Sequence, residues 1–233
     1  MIVSWFSSGV SSFMAAYLVR DKIDRIVYIH IDEQHPDSLR FLNDCEAVIG
    51  KKIEILQSRY ASVENVINSQ RYINGPGGAA CTKLLKKRIR KDWEKENGTE
   101  DMTYVWGYDV EERHRAERLV ESMPEYKHLF PLIENNLTKQ DAHAMADRLG
   151  VNRPIMYDMG YQNNNCLGCV KGGMWYWNQI RKDFPDIFAI RARQEREIGH
   201  SCISGVYLDE LKPGTGKPQD EISQDCGIAC LML

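Results

Sequence analysis

The stretch Ile2-Val3-Ser4-Trp5-Phe6-Ser7-Ser8-Gly9-Val10-Ser11-Ser12 decides how this chain folds. Its apolar run over 2–6 reads as a buried strand, and Phe13, Met14, Ala15, Tyr17 and Leu18 read as the start of a helix. Between them lies a loop of small and hydroxyl-bearing residues. A strand, a tight turn and a helix N-terminus together make an anion site: backbone N–H groups lack intrahelical partners there, the helix dipole favours negative charge, and small side chains allow close approach. Ser7, Ser8, Gly9, Ser11 and Ser12 are therefore candidate phosphate-binding residues. Taken alone, the same loop also reads as a serine-rich turn with a capping Ser.

Outward from this stretch, strand-like and helix-like segments alternate. Strands are expected over 25–31, 52–56 and 103–106, and helices over 37–49, 62–70, 82–96, 111–122 and 138–149. The helix over 138–149 opens on the capping-box sequence Thr138-Lys139-Gln140-Asp141. This order predicts an α/β fold, an open and mostly parallel sheet with helices on both faces. From Asn163 the texture changes to an asparagine run, a cysteine pair, two helical stretches and a tail rich in Gly, Pro and Lys. The chain is accordingly read as a nucleotide-binding α/β domain over 1–160 and a helical, cysteine-containing C-terminal extension over 161–233.

Bulk properties narrow the class. The chain has 233 residues, enough for one well-buried domain and an extension, with 43% hydrophobic and 27% charged residues, as in ordinary globular proteins. A net charge of −3 gives no global sign of nucleic-acid binding. No apolar run approaches the ~20 residues of a membrane span, and no secretory leader pattern is evident. The expectation is a cytoplasmic protein without membrane contact. Seven cysteines in that compartment point to metal, cluster or thiol chemistry rather than to disulfides.

In an open α/β sheet, ligands bind beyond the carboxyl ends of the strands. Three loops lie there: residues 7–12, residues 32–36 with Asp32, Glu33 and His35, and residues 107–115 with Asp109, Glu111, Glu112, Arg113 and Arg115. Hydroxyls and amides on one side with arginines on another suit a phosphorylated or sulfated nucleotide. The third loop also reads as an exposed, salt-bridged helix start.

The sequence resembles the phosphoadenosine phosphosulfate (PAPS) reductase family of the adenine nucleotide alpha-hydrolase, or PP-loop, superfamily. The resemblance rests on four segments in family order. Ser7-Ser8-Gly9-Val10-Ser11-Ser12 stands where the family has its Ser-Gly-Gly-x-Asp-Ser phosphate loop, and Asp32-Glu33-Gln34-His35-Pro36-Asp37 is similar to its Asp-Thr-Gly-x-x-x-Pro-Glu segment. Gly107-Tyr108-Asp109-Val110-Glu111-Glu112-Arg113-His114-Arg115 is similar to Gly-x-Arg-x-x-Glu-x-x-Arg, and Phe130-Pro131-Leu132-Ile133 followed by Leu137-Thr138-Lys139-Gln140-Asp141 to Pro-Leu-x-x-Trp-Thr-x-x-Asp. It implies an adenine nucleotide (ATP, adenylyl sulfate (APS) or PAPS) held by Ser7, Ser8, Gly9, Ser11, Ser12, Asp32, Gly107, Glu112 and Arg115. Three departures stand out. Ser8 replaces a loop glycine, Ser11 replaces an aspartate that helps hold magnesium in the pyrophosphatase members, and Asp109 replaces an arginine.

The cysteines extend the comparison. Cys166-Leu167-Gly168-Cys169 is a Cys-x-x-Cys, suited to a shared metal or cluster or to a redox pair. Cys81 opens the basic helix of Lys83, Lys86, Lys87, Arg88, Arg90 and Lys91, where the dipole and the cations favour a thiolate. That helix reads either as a solvated charged face or as a contact for a phosphorylated partner. The arrangement resembles the iron–sulfur branch of the sulfonucleotide reductases with the first Cys-Cys pair reduced to one. It implies a [4Fe–4S] cluster on Cys81, Cys166 and Cys169 with an open iron site. The terminal Asp225-Cys226-Gly227-Ile228-Ala229-Cys230 resembles the family's Glu-Cys-Gly-Ile-His, which implies Cys226 as nucleophile beside the catalytic candidate Cys81 and adds Cys230 to the metal candidates. A competing set, Cys166, Cys169, Cys226 and Cys230, suits zinc or a cluster.

Two activities follow as expectations. The first is a sulfonucleotide reductase served by a thioredoxin-like dithiol. The second is an ATP-dependent sulfurtransferase that thiolates a nucleic acid or a small molecule. A nucleotide-binding module without catalysis is a third reading. A homo-oligomer is expected in each case. Cys45 reads as core, and the cluster Met174, Trp175, Tyr176, Trp177 as packing of the extension.

Overall fold

The structure, a computed structural model, describes residues 1–75, 77–98 and 101–218. Ile2–Phe6 is β1 and Val10–Leu18 is α1. Arg25–His30 (β2), Asp37–Ile49 (α2), Ile53–Gln57 (β3) and Val63–Gln70 (α3) continue the alternation. A π-helix over Thr82–Lys87 runs directly into Arg88–Asn97 (α4). Thr103–Val105 (β4), a 3-10 turn over Val110–Glu112, Arg113–Ser122 (α5) and Lys127–Leu129 (β5) complete the sheet layer. Pro131–Glu134 (α6), Lys139–Arg148 (α7), Ile155–Asp158 (α8), Met174–Asp183 (α9) and Pro185–Ile198 (α10) follow.

The strands pair in the order β3-β2-β1-β4-β5, all parallel, so the expected α/β class holds. Sequence reasoning missed β5: Lys127-His128-Leu129 is short, half polar and without an apolar run. It also expected one uniform helix over 82–96. The first six residues instead form a π-helix, whose wider turn rotates Leu85 and Lys86 relative to Trp93. Leu85 consequently packs in a different cluster from Trp93.

Alternation along the strands divides the core. Phe6, Ile26, Tyr28 and Val105 pack with α1, α2 and α7 on one face, whereas Val3, Trp5, Val27, Ile29 and Tyr104 pack with Trp93 of α4 and Leu119 of α5 on the other. Both faces are covered, which is why β1 and β2 are nearly continuous apolar runs. A third cluster joins Ile31, Val66 and Leu85 to the extension through Tyr161, Tyr176, Trp177 and Ile180. Tyr176 and Trp177 are fully buried there, in the packing role expected of them, and Cys45 on α2 lies in the core.

Strand order reverses at β1, with β2 on one side and β4 on the other. This switch point is where an open parallel sheet leaves a crevice beyond its carboxyl edge.

Candidate functional site

A cleft of about 150 Å³ opens at that switch point, with Trp5 and Ser7 entering from the end of β1 and Trp106 and Gly107 from the end of β4. Of the predicted nucleotide-binding residues, Ser7, Gly9, Ser11, Ser12, Gly107, Glu112 and Arg115 line it. Two do not. Ser8 is fully buried behind the loop, and Asp32 is exposed and accepts from the Gln57 side-chain amide at 2.7 Å.

Ser12 shapes the loop from within. Its Oγ accepts from the amides of Ser7 (3.2 Å) and Gly9 (3.3 Å) and donates to the Gly9 carbonyl at 2.8 Å. The amides of Val10 and Ser11 fall in the first turn of α1, where a helix supplies no intrahelical acceptor, so the dipole end of α1 points into the cleft. Ser8 has φ of +60°, the left-handed region that glycine occupies freely. The glycine-like shape of the loop is thus kept although the glycine is not.

Gly107 closes the loop from the side of β4. A Cβ at this position would stand 2.7 Å from both Cα and N of Ser12, so only glycine lets the two backbones approach this closely. Beyond it, Asp109 is 3% exposed and accepts from the Glu111 amide at 2.9 Å, while the Glu112 carboxylate accepts from the Asp109 amide at 3.3 Å. Where the resembled family carries an arginine, this chain therefore has a cap that starts the helix presenting Glu112 and Arg115. Those two side chains pair with each other, and the Arg115 guanidinium lies 4.9 Å from the centroid of the Tyr108 ring. Burial raises the Glu112 carboxyl above its ordinary value, and the charge of Arg115 opposes the shift.

Sequence reasoning missed half of the lining. Lys86 reaches it from the π-helix, so one residue of the basic helix lines the cleft. The solvated-face reading holds for Arg88, in an exposed pair with Asp92, whereas Arg90 is buried against Glu94. Lys139 lines the cleft beside the Thr138 cap, donates to Asn163 Oδ1 at 2.9 Å and lies 5.8 Å from the centroid of the Tyr157 ring. Three cations thus face two carboxylates, one of them capped, which suits an anionic ligand. Asn163, Asn164, Asn165 and Cys166 form the remaining wall. The asparagine run beside the Cys-x-x-Cys was the available signal, read only as a change of texture.

The cysteines distribute unevenly. Cys81, Cys166, Cys169 and Cys202 are all buried in the third core cluster, and of these only Cys166 also lines the cleft. Cys81 stands directly before the π-helix, already in helical conformation and without a side-chain capping bond, and it is not part of the cleft lining. The Tyr176 hydroxyl donates to the Cys166 carbonyl and accepts from the Cys169 amide, each at 2.9 Å, which fixes the 166–169 turn from behind. Burial pushes the Cys202 thiol well above its ordinary value, with the Glu195 carboxylate adding to the shift and Cys81 a smaller contributor. Among the described residues no three His, Cys, Asp or Glu side chains are grouped as ligands of a metal ion. Cys81, Cys166 and Cys169, the described cysteines of the expected metal sites, form no such group. Cys226 and Cys230 lie outside the described residues.

No helix among the described residues is long and apolar enough to cross a membrane. No protein-family model matches the chain, and no curated protein matches it. Among solved structures it is similar to the phosphoadenylyl-sulfate (PAPS) reductase from Candida auris in its phosphate complex. The two share 14% sequence identity with a TM-score of 0.49, over 69% of this chain and 78% of that one.

Proposed function

We propose that the chain binds an adenine nucleotide in this cleft and carries out sulfur chemistry on it, as a sulfonucleotide reductase. One observation carries the reading: a dipole-bearing serine loop, three cations and a cysteine line a single cleft at the switch point of a parallel sheet. The loop amides and Lys86, Arg115 and Lys139 hold the phosphate and sulfate oxygens. The Cys226 thiolate attacks the sulfate sulfur, forming an S–S bond while the S–O bond breaks and its electron pair leaves on the adenosine phosphate. A thioredoxin-like dithiol then attacks the cysteine sulfur. Sulfite is released, and the two electrons that convert sulfate-level to sulfite-level sulfur come from that dithiol.

A second reading, ATP-dependent sulfur transfer to a nucleic acid or small molecule, is favoured by Cys166, which puts a protein sulfur in the cleft wall itself. Anaerobic incubation with APS or PAPS and a dithiol distinguishes them. Sulfite release abolished by Cys226→Ser is the result expected. Pyrophosphate release from ATP only in the presence of RNA, DNA or a small acceptor overturns the reductase in favour of transfer. Nucleotide binding without either product leaves a binding module.

A further inference from the structure

Ser8 has an unfavourable backbone conformation and is hydrogen-bonded to a residue 156 positions away. A side chain with a Cβ resists positive φ, and Ser8 carries φ of +60° while fully buried. Two other segments close on it. The Asn164 side-chain amide donates to the Ser8 carbonyl at 2.8 Å and to Ser38 Oγ at 2.9 Å, and Ser8 Oγ donates to the Ser38 carbonyl at 3.3 Å.

Asn164 is poorly explained as a core residue. It is 7% exposed, and its Oδ1 is buried without a hydrogen-bond partner. An orphaned buried acceptor destabilises the fold, and an apolar residue would avoid it. What the asparagine adds is its NH₂ group, which is directed at the back of the loop. The backbone on either side is tied down: the Gln162 carbonyl accepts from Lys139 Nζ, and the Leu167 amide donates to the Glu33 carbonyl at 2.7 Å. The reach of the side chain toward Ser8 is therefore set by the fold.

We infer that Asn164 is the positioning residue of the anion loop. It supplies from the C-terminal extension the constraint that a glycine at position 8 would make unnecessary. By holding Ser8 left-handed it sets the direction of the Gly9, Val10 and Ser11 amides toward the ligand. The Asn164 wall, which continues into Cys166, thereby becomes part of the nucleotide site rather than an appendage beside it. The ligand half of this inference rests on the adenine-nucleotide reading; the loop half does not.

The test is a double-mutant cycle on the full chain with Asn164→Ala, Ser8→Gly and both together. AMP and ATP binding are measured by calorimetry at one salt concentration, and unfolding in urea is measured in parallel. Asn164→Ala weakens AMP binding about tenfold, the worth of one buried hydrogen bond. Measured against Ser8→Gly alone, Asn164→Ala costs less than about threefold, because glycine reaches positive φ without the steric cost that Asn164 offsets at Ser8. An Asn164→Ala loss of equal factor in both backgrounds, or no loss in either, overturns the inference. If the wild-type chain binds neither nucleotide, the functional reading fails and the urea cycle still decides the loop. A midpoint lowered more by Asn164→Ala with Ser8 present than in the Ser8→Gly background upholds the inference, and equal shifts overturn it. If Asn164→Ala alone does not fold, recovery of folding by Ser8→Gly upholds it and failure of the double variant overturns it.

Discussion

The loop over residues 7–12 and the turn over residues 166–169 face one cleft, yet local contacts have a different share in holding each. The first combines contacts of its own, with Ser12 as acceptor for Ser7 and Gly9 and the following helix supplying the dipole, with a single distant side chain, Asn164, behind Ser8. The second is organised from outside. Its ends are bridged by the Tyr176 hydroxyl, its Leu167 amide is taken by Glu33, and Gly168 has φ of +67° with no room for a Cβ against Ile187. A locally organised loop carries its shape in a short motif, whereas an externally organised turn carries only its residue types.

The comparison is broken most severely at Gly107, where the loop over residues 7–12 packs backbone against backbone. Gly107→Ala places a Cβ 2.7 Å from the backbone of Ser12, and backbone, unlike a flexible side chain, has no cheap way to move aside. A loss of about 3 kcal/mol in urea-measured stability is expected, the upper range for overpacking, together with loss of nucleotide binding. Unchanged AMP affinity in a folded Gly107→Ala protein would show that the loop is less dependent on β4 than its geometry implies.

The cysteine turn has its own weak point. Tyr176→Phe removes a hydroxyl from a fully buried site and leaves the Cys166 carbonyl and the Cys169 amide without the bond it provides. About 2 kcal/mol of stability should be lost, the cost of unsatisfied buried backbone groups. AMP affinity, set by the other loop, should change less than twofold, well under ~1 kcal/mol. A nucleotide affinity that falls in step with stability would mean that the two loops are one unit rather than two.

The same contrast explains what the sequence disclosed. The strand–loop–helix at the N-terminus, the parallel order and the loop after β4 were legible because each is written in contiguous residues. Lys86, Asn164 and Gln34 of the cleft lining were not. Lys86 is aimed by a π-turn, which has no periodicity signal of its own within a helix of lysines. Asn164 acts on a residue far away in the chain, and nothing in Asn163-Asn164-Asn165 names Ser8. Asp32 stood in the right loop, but the side chain turns to Gln57 on the neighbouring strand, leaving Gln34 to line the cleft. Asp109 shows the reverse case: read against an arginine, it looked like a lost ligand contact, and in three dimensions it is a helix cap.

The smallest effect concerns the wall behind the phosphate loop, and it is readable through pH. His143 on α7 packs edge-on against Tyr157 at 4.7 Å, and the Tyr157 hydroxyl lies over Gly9. The His143 Nδ1 is buried without a partner, and burial, with the charges of Lys139 and Arg153 nearby, depresses the imidazole to about 4. The unfolded chain, at its ordinary value near 6.5, takes up a proton first as pH falls, so stability declines between about 6.5 and about 4 and levels off below. Because the ring is partly exposed, a total of about 1 kcal/mol is expected rather than the full linkage value. His143→Gln, compared with the wild type in urea at pH 7 and pH 4.5, should remove that increment of pH dependence. An identical pH dependence in the two proteins would mean that the ring is solvated well enough to titrate normally. The pH sensitivity of the cradle would then have to come from Glu112, whose raised carboxyl acts with the opposite sign: its contribution to stability is lost as pH rises through its folded value.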